Sequence, residues 1–333
     1  MLAELCDLRA VSGNEDAVRN YILDKLTAAQ VETRVDTMGN LLVSKGKSKR
    51  TPVMLSAHMD EVGLMIMSIE KTGLLKFSPV GGIDSRILPG IRVRIGLNGL
   101  PGVIGAKPVH LQKKNEQEKP FDEDSLYIDA GFKNSDEAGK YVSVGNFAAF
   151  DSTFTEIGNG FYRGKAFDDR AGCLVLLKLL LENNGLAFNA AFTVQEEIGT
   201  RGAAVAAYTL EPEAALVVEA TAAADTPGTD KEASGTNLGD GPAISVMDST
   251  IMVSRKMREE LAEIAEKASL PYQYRRFTGA GTEGGIIALT RGGVETAVLA
   301  IPCRYIHSPH SVMKESDFNV ALNLVKGWLE QRQ

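Results

Sequence analysis

Over residues 64–164 this chain shows no long helical period, and that gap constrains its fold more than any other feature. The stretch carries short alternating runs instead, among them LLKFSPV, IRVRIGL and GVIGAKP, which read as half-buried strands. Turn signals separate them: Gly81-Gly82, Pro89-Gly90, Asn98-Gly99 and Pro101-Gly102. On either side the texture is different. Ser12 ahead of Glu15 has the form of a capping box opening a helix through Leu26. Strand-like runs follow at 31–35, 41–44 and 53–57. After Gly164, helices at 169–183, 200–208, 254–268 and 315–330 alternate with strands at 187–195, 213–219 and 296–301. Such alternation predicts an α/β sandwich. A length of 333 residues leaves room for two domains. The expected architecture is therefore one discontinuous α/β domain, residues 1–63 and 165–333, with a small β-rich domain of residues 64–164 inserted into it.

Composition narrows the function. A formal net charge of −7 argues against a general nucleic-acid footprint. The three cysteines, Cys6, Cys173 and Cys303, are odd in number and form no CxxC pair, which points to a reducing compartment. Glu4, Asp7 and Arg9 interrupt the first apolar run, so it is neither a signal peptide nor a membrane span. The expectation is a cytoplasmic protein without membrane or nucleic-acid partners.

Four predicted strands run into polar residues. The strand at 53–57 leads to His58 and Asp60, the strand at 187–195 to Glu196 and Glu197, the strand at 213–219 ends on Glu219, and the strand at 296–301 leads to His307. Asp168 and Asp169 stand just before a helix. Ligands of open α/β sheets bind beyond the carboxyl ends of the strands, so these residues are expected at one edge. Mixed histidine and carboxylate donors suit zinc, cobalt or manganese. Two ions bridged by a carboxylate can activate a water and polarise a carbonyl, while a carboxylate outside the metal sphere serves as general base. The adjacent pair Glu196-Glu197 offers both roles, because neighbours in an extended segment point opposite ways. Each element alone has a plainer reading: a hydrogen-bonded His-x-Asp, a solvated Glu-Glu turn, helix-capping aspartates, a paired core charge at Glu219. Only their joint placement favours metal.

The stretches SAHMDEVG at 56–63, GKAFDDRAG at 164–172, VQEEIGTRGA at 194–203, VVEATAAADTPGT at 217–229 and RYIHSPHSV at 304–312 carry a family likeness. With ILPG at 87–90 and GVIGAKPVHL at 102–111, the chain resembles the tetrahedral (TET) metallo-aminopeptidases over nearly its whole length. The resemblance implies a mixed-sheet α/β/α sandwich of the zinc-exopeptidase type, with the inserted domain barrel-like. It implies two divalent ions per subunit, zinc or cobalt first and manganese admissible. Asp168 would bridge them, His58 and Glu219 would complete one site, and Glu197 and His307 the other. Glu196 would be general base and acid, and Asp60 would orient the His58 imidazole. The Asp168–Asp169 peptide bond would be cis, and inserted domains would pair subunits into dimers that build a homo-dodecamer. The substrates would be peptides with a free N-terminus; a two-metal deacylase or carboxypeptidase, or a non-catalytic assembly protein, are the alternatives.

Three departures stand out. Glu219 replaces an aspartate common among relatives, Glu283 in GAGTEGG at 279–285 replaces the aspartate of GGTDA, and His310 is an additional histidine beside His307. Glu283 bears on substrate preference under this reading, and His310 is taken as structural. The glycines at 279, 281, 284 and 285 lack a GK[ST] and read as a flexible active-site loop rather than a phosphate loop. His110 is read as a packing or surface residue, and a Cys303–His307 nucleophilic pair is set aside.

Overall fold

The computed structural model describes residues 1–46, 53–182, 185–229, 235–275 and 278–333. Among these an eleven-stranded mixed sheet forms the body of the molecule. Its main path runs Thr33–Val35, Leu41–Lys45, Phe188–Thr193, Val53–His58, Ala214–Ala222, Glu295–Arg304, Ser311–Lys314, Phe161–Gly164 and Thr155–Ile157. Ala243–Ser245 pairs with Glu295–Arg304 and with Gln273–Arg275 off that path. The four central strands, Phe188–Thr193, Val53–His58, Ala214–Ala222 and Glu295–Arg304, are mutually parallel, so their carboxyl ends share one edge.

Helices cover both faces, and strand parity sorts the side chains between them. On Val53–His58, Val53, Leu55 and Ala57 enter the larger core with the Phe167–Leu181 helix, whereas Met54 faces Ala203, Ala206 and Ala207. Ser56 and His58 share the face of Met54, because strand side chains alternate. The Phe167–Leu181 helix is buried on nearly every residue, which is why its sequence is apolar all round rather than amphipathic. A fully buried leucine there, such as Leu176, is worth about 1.5–3 kcal/mol of transfer free energy. Across the sheet, helices Arg201–Leu210 and Glu283–Ala288 complete the three layers.

The β-rich insertion closes into a six-stranded antiparallel barrel, Gly63–Ile69, Leu75–Val80, Tyr127–Asp129, Leu100–Gly105, Arg92–Ile95 and Phe147–Phe150. It has its own core, with Leu64, Phe77, Val93, Ile104 and Ile128 among its members. Two features differ from expectation. Pro101-Gly102 is not a turn but lies within a strand; a Cβ on Gly102 would stand 2.7 Å from Ile128 Cγ2, so glycine permits close packing there. Strands Thr155–Ile157 and Phe161–Gly164, placed by the sequence with the insertion, instead extend the large sheet through Ser311–Lys314. Short edge strands carry too few residues to show which sheet they join. Among the described residues no helix is long and apolar enough to cross a membrane, and all three cysteines are free and buried.

Candidate active site

The parallel register brings the predicted residues together. Thr193 lies opposite His58, and Ser56 opposite Val217, so Glu219, two residues on and on the same face as Val217, stands level with His58. Asp168 is held where the first turn of its helix departs from helical geometry, and the Asp168–Asp169 peptide bond is cis. Asp169 supports this corner rather than facing outward. Its Oδ1 accepts the Gly172 N–H at 2.9 Å and its Oδ2 the His58 N–H at 3.3 Å. Gly172 is required beside it, because a Cβ would stand 2.6 Å from the Val218 carbonyl.

Two groups of donors result, and they share Asp168. His58, Asp168 and Glu219 form one; Asp168, Glu197 and His307 form the other, with candidate ligand atoms in each within 4.8 Å of one another. His58 Nε2 lies 3.1 Å from Asp168 Oδ1 and 3.2 Å from Glu219 Oε1. His307 Nε2 lies 3.2 Å from Asp168 Oδ2 and 3.2 Å from Glu197 Oε2. The other ring nitrogens are engaged from behind. His307 Nδ1 meets the Gly82 carbonyl of the inserted segment at 2.7 Å, and His58 Nδ1 meets the Asp60 carbonyl at 3.1 Å. A carbonyl only accepts, so each Nδ1 carries the proton and each Nε2 turns a lone pair toward carboxylates. Such an arrangement requires a cation between them or a second proton on the ring.

The charge balance says the same. Burial disfavours charge on His58 and on His307, yet the carboxylates around them outweigh it: His58 is raised well above its ordinary range and His307 to about 11. Burial raises Glu219 to about 8 and lifts Glu197 and Glu196, while hydrogen bonds from His307 and His58 overcome the burial of Asp168 and hold it low. Glu197 Oε1 is buried and has no hydrogen-bond partner among the described residues. An orphaned carboxylate oxygen, a surplus of carboxylates and two imidazoles aimed inward fit divalent cations. Glu196 belongs to neither group, though His58, Glu219 and Glu197 all act on its carboxylate.

Several expectations need correction. Ser12 and Glu15 do not form a capping box on the Asp16–Ala28 helix: no side-chain bond caps it. Ser12 Oγ instead donates to Asp60 Oδ2 at 2.6 Å, and Glu15 Oε1 accepts from Gln195 N at 3.1 Å. Glu196 and Glu197 lie beyond the strand, which ends at Thr193, and Gln195 between them and the strand adopts a left-handed φ of 56°. Gly284 and Gly285 lie inside the buried helix Glu283–Ala288 rather than in a flexible loop. His310 is exposed and belongs to neither donor group, and His110 is a surface residue of the insertion, both as expected of residues outside the site. Cys303 is fully buried with its thiol pushed well up by that burial, so it has no thiolate to offer.

Glu283 opens the buried helix Glu283–Ala288. Its carboxylate is fully buried, accepts from Ser56 Oγ at 2.6 Å and takes a short hydrogen bond from Thr193 Oγ1. It therefore ties together Ser56 and Thr193 of two central strands. Glu283→Ala is expected to cost about 2–4 kcal/mol of stability, because two buried hydroxyls lose their partner and a void opens. The relative rates over a panel of substrates should stay unchanged; a reordered panel would assign Glu283 to substrate selection.

This architecture and donor set define a class: an α/β/α sandwich protein whose site can hold metal beside a separate carboxylate. A sequence profile described as M42 glutamyl aminopeptidase matches residues 39–324. A putative aminopeptidase of Acetivibrio thermocellus is 37% identical over 98% of this chain and 96% of its own length. A solved aminopeptidase from the archaeon Desulfurococcus kamchatkensis is 37% identical, covers 99% of this chain and 93% of its own, and superposes with a TM-score of 0.93. The Pyrococcus horikoshii TET1 peptidase, described as assembling into a tetrahedron or a large octahedral shell, is 30% identical over 98% of each chain with a TM-score of 0.88. The chain belongs to the M42 glutamyl aminopeptidase family. It is accordingly an enzyme of the peptidase class, and its family implies divalent metals at the site.

Proposed function

We propose that this chain is a two-metal aminopeptidase that removes residues from the free N-terminus of peptides, with Glu196 as general base and then general acid. One observation carries the reading: two donor groups share Asp168, and Glu196, whose carboxylate interacts with His58, Glu219 and Glu197, belongs to neither. His58, Asp168 and Glu219 would hold one ion, and Asp168, Glu197 and His307 the other; zinc or cobalt suits these donors best, with manganese admissible. Bound there, such ions supply Lewis acidity toward a water and toward the scissile carbonyl. Glu196 takes the proton of the attacking water on its carboxylate and returns it to the leaving amine. Asp60 fixes the site from behind, its backbone carbonyl accepting from His58 Nδ1 and its carboxylate from the Glu196 and Glu197 N–H groups.

The same reading assigns catalysis to residues 1–63 and 165–333, together with the sheet-paired strands at 155–157 and 161–164, and subunit pairing to the barrel. It extends to a homo-dodecamer built from dimers and to the cytoplasm; the tetrahedral assembly described for the TET1 peptidase supports a large closed oligomer. The test is a panel of aminoacyl chromogenic substrates with free or acetylated amines, assayed with zinc, cobalt or manganese before and after chelation. Free-amine substrates should be cleaved and acetylated ones refused, with activity lost on chelation and regained with metal. Preferential cleavage of the acetylated set would make the enzyme a deacylase; activity indifferent to chelation would remove the metals.

A further inference from the structure

We propose that Glu15 is a positioning residue for Glu196, acting through the backbone of Gln195; the inference rests on the reading of Glu196 as the base. Four consecutive N–H groups lead out of the Phe188–Thr193 strand, and side chains from the first sixty residues accept all four. Val194 N donates to Asn40 Oδ1 at 3.0 Å, Gln195 N to Glu15 Oε1 at 3.1 Å, Glu196 N to Asp60 Oδ1 at 3.0 Å, and Glu197 N to Asp60 Oδ2 at 3.1 Å. The amino-terminal part of the chain therefore forms a cradle for the segment carrying the base and a metal ligand.

Within that cradle Glu15 holds the strained residue. Gln195 sits at a φ of 56°, a conformation that non-glycine residues keep only where their surroundings over-determine it. Glu15 is itself well anchored. Its Oε1 also accepts the Gly13 N–H at 2.6 Å, its carbonyl takes the N–H groups of Val18 and Arg19, and the Asp16–Ala28 helix that follows buries Val18, Ile22 and Leu26. Both side-chain bonds fall on one oxygen, so what the site uses is an acceptor at a fixed reach rather than a negative charge. A displacement of about 1 Å at a reacting group can cost about 100-fold in rate, and Gln195 is the residue immediately before Glu196.

Three substitutions separate this role from a merely structural one. Glu15→Gln keeps the oxygen and should hold kcat within about threefold of the parent. Glu15→Asp keeps the charge but shortens the side chain by about 1.5 Å, and Glu15→Ala removes the acceptor; both should lose 10- to 100-fold in kcat on the order expected for a misplaced base. KM and metal content per chain should stay within twofold on that same scale. If Glu15→Ala does not fold, the order of the other two still decides. Glu15→Asp at parental kcat with Glu15→Gln impaired would show that charge matters and overturn the proposal, as would a loss of kcat that tracks loss of metal. Glu196→Gln is assayed alongside. If it stays active the base assignment fails and this inference with it; if it is inactive while Glu15→Asp and Glu15→Ala keep full kcat, only the Glu15 role fails.

Discussion

Glu196→Gln is expected to lose about 100- to 10,000-fold in turnover, the range that a positioned general base contributes, while binding as much metal as the parent. The two parts of this expectation have separate grounds. Glu196 lies outside both donor groups, so an amide at that position removes no ligand. The backbone of Glu196 is held by its N–H on Asp60 and by its carbonyl, which accepts from Gly199 and Thr200. None of these bonds uses the side chain, so Glu197 should keep its place beside His307. The substitution also removes one negative charge from a cluster in which Glu219, Glu197 and Glu283 already oppose it. Metal-free Glu196→Gln should therefore melt at the same temperature as the parent or above it. Steady-state kinetics, metal analysis and a thermal melt on one preparation check all three, and parental turnover would remove Glu196 from the mechanism.

The sequence made the donors legible because they follow recognisable strands. Val53–His58 is a largely apolar run ending on a histidine, and such a run reads as a buried parallel-type strand whose last residue reaches the edge. Glu219 and His307 follow by the same logic and Asp168 by its place just before a helix, and the family likeness gives them roles. The supports behind them were not legible. Ser12 and Glu15 match a local capping pattern, yet they serve Asp60 and Gln195, 48 and 180 residues away. A local pattern competes with long-range partners that no spacing rule reveals. The left-handed turn at Gln195 leaves no mark either, since glutamine has no preference for that region.

Glu283 shows a second limit. Glycines around it suggested mobility, but Gly284 and Gly285 are there because the helix packs tightly: a Cβ on Gly285 would stand 2.4 Å from Thr250 Cβ. Glycine permits both close packing and flexibility, and composition does not separate them. The barrel was legible as β structure from its turn signals. That its Gly82 carbonyl would reach across to His307 Nδ1 was not, because backbone acceptors carry no residue identity.

Asp168→Asn should empty both metal sites, an effect that no other single substitution at the site matches. Asp168 is the one residue common to the two donor groups, with Oδ1 directed to His58 and Oδ2 to His307. Asparagine keeps one oxygen and places an amide donor where the other stood, so it cannot serve two cations. Loss of even an outer partner of a ligand costs about 10- to 100-fold in metal affinity, and loss of the shared ligand should exceed that at both sites. His307→Ala is the contrasting case, because it leaves His58, Asp168 and Glu219 together and should empty one site only. Metal analysis under repletion distinguishes the two, and Asp168→Asn retaining one tightly held ion would show that the groups do not share it. The metal-free protein gives an independent check. Its His307 is raised to about 11, against burial, by Asp168 and Glu197. A raised imidazole contributes stability that is complete below its unfolded pKa of about 6.5 and is lost as pH climbs through the folded value. Denaturant unfolding of chelated protein should thus weaken from neutral to alkaline pH. Asp168→Asn should flatten that slope, since Glu197 alone then faces the ring.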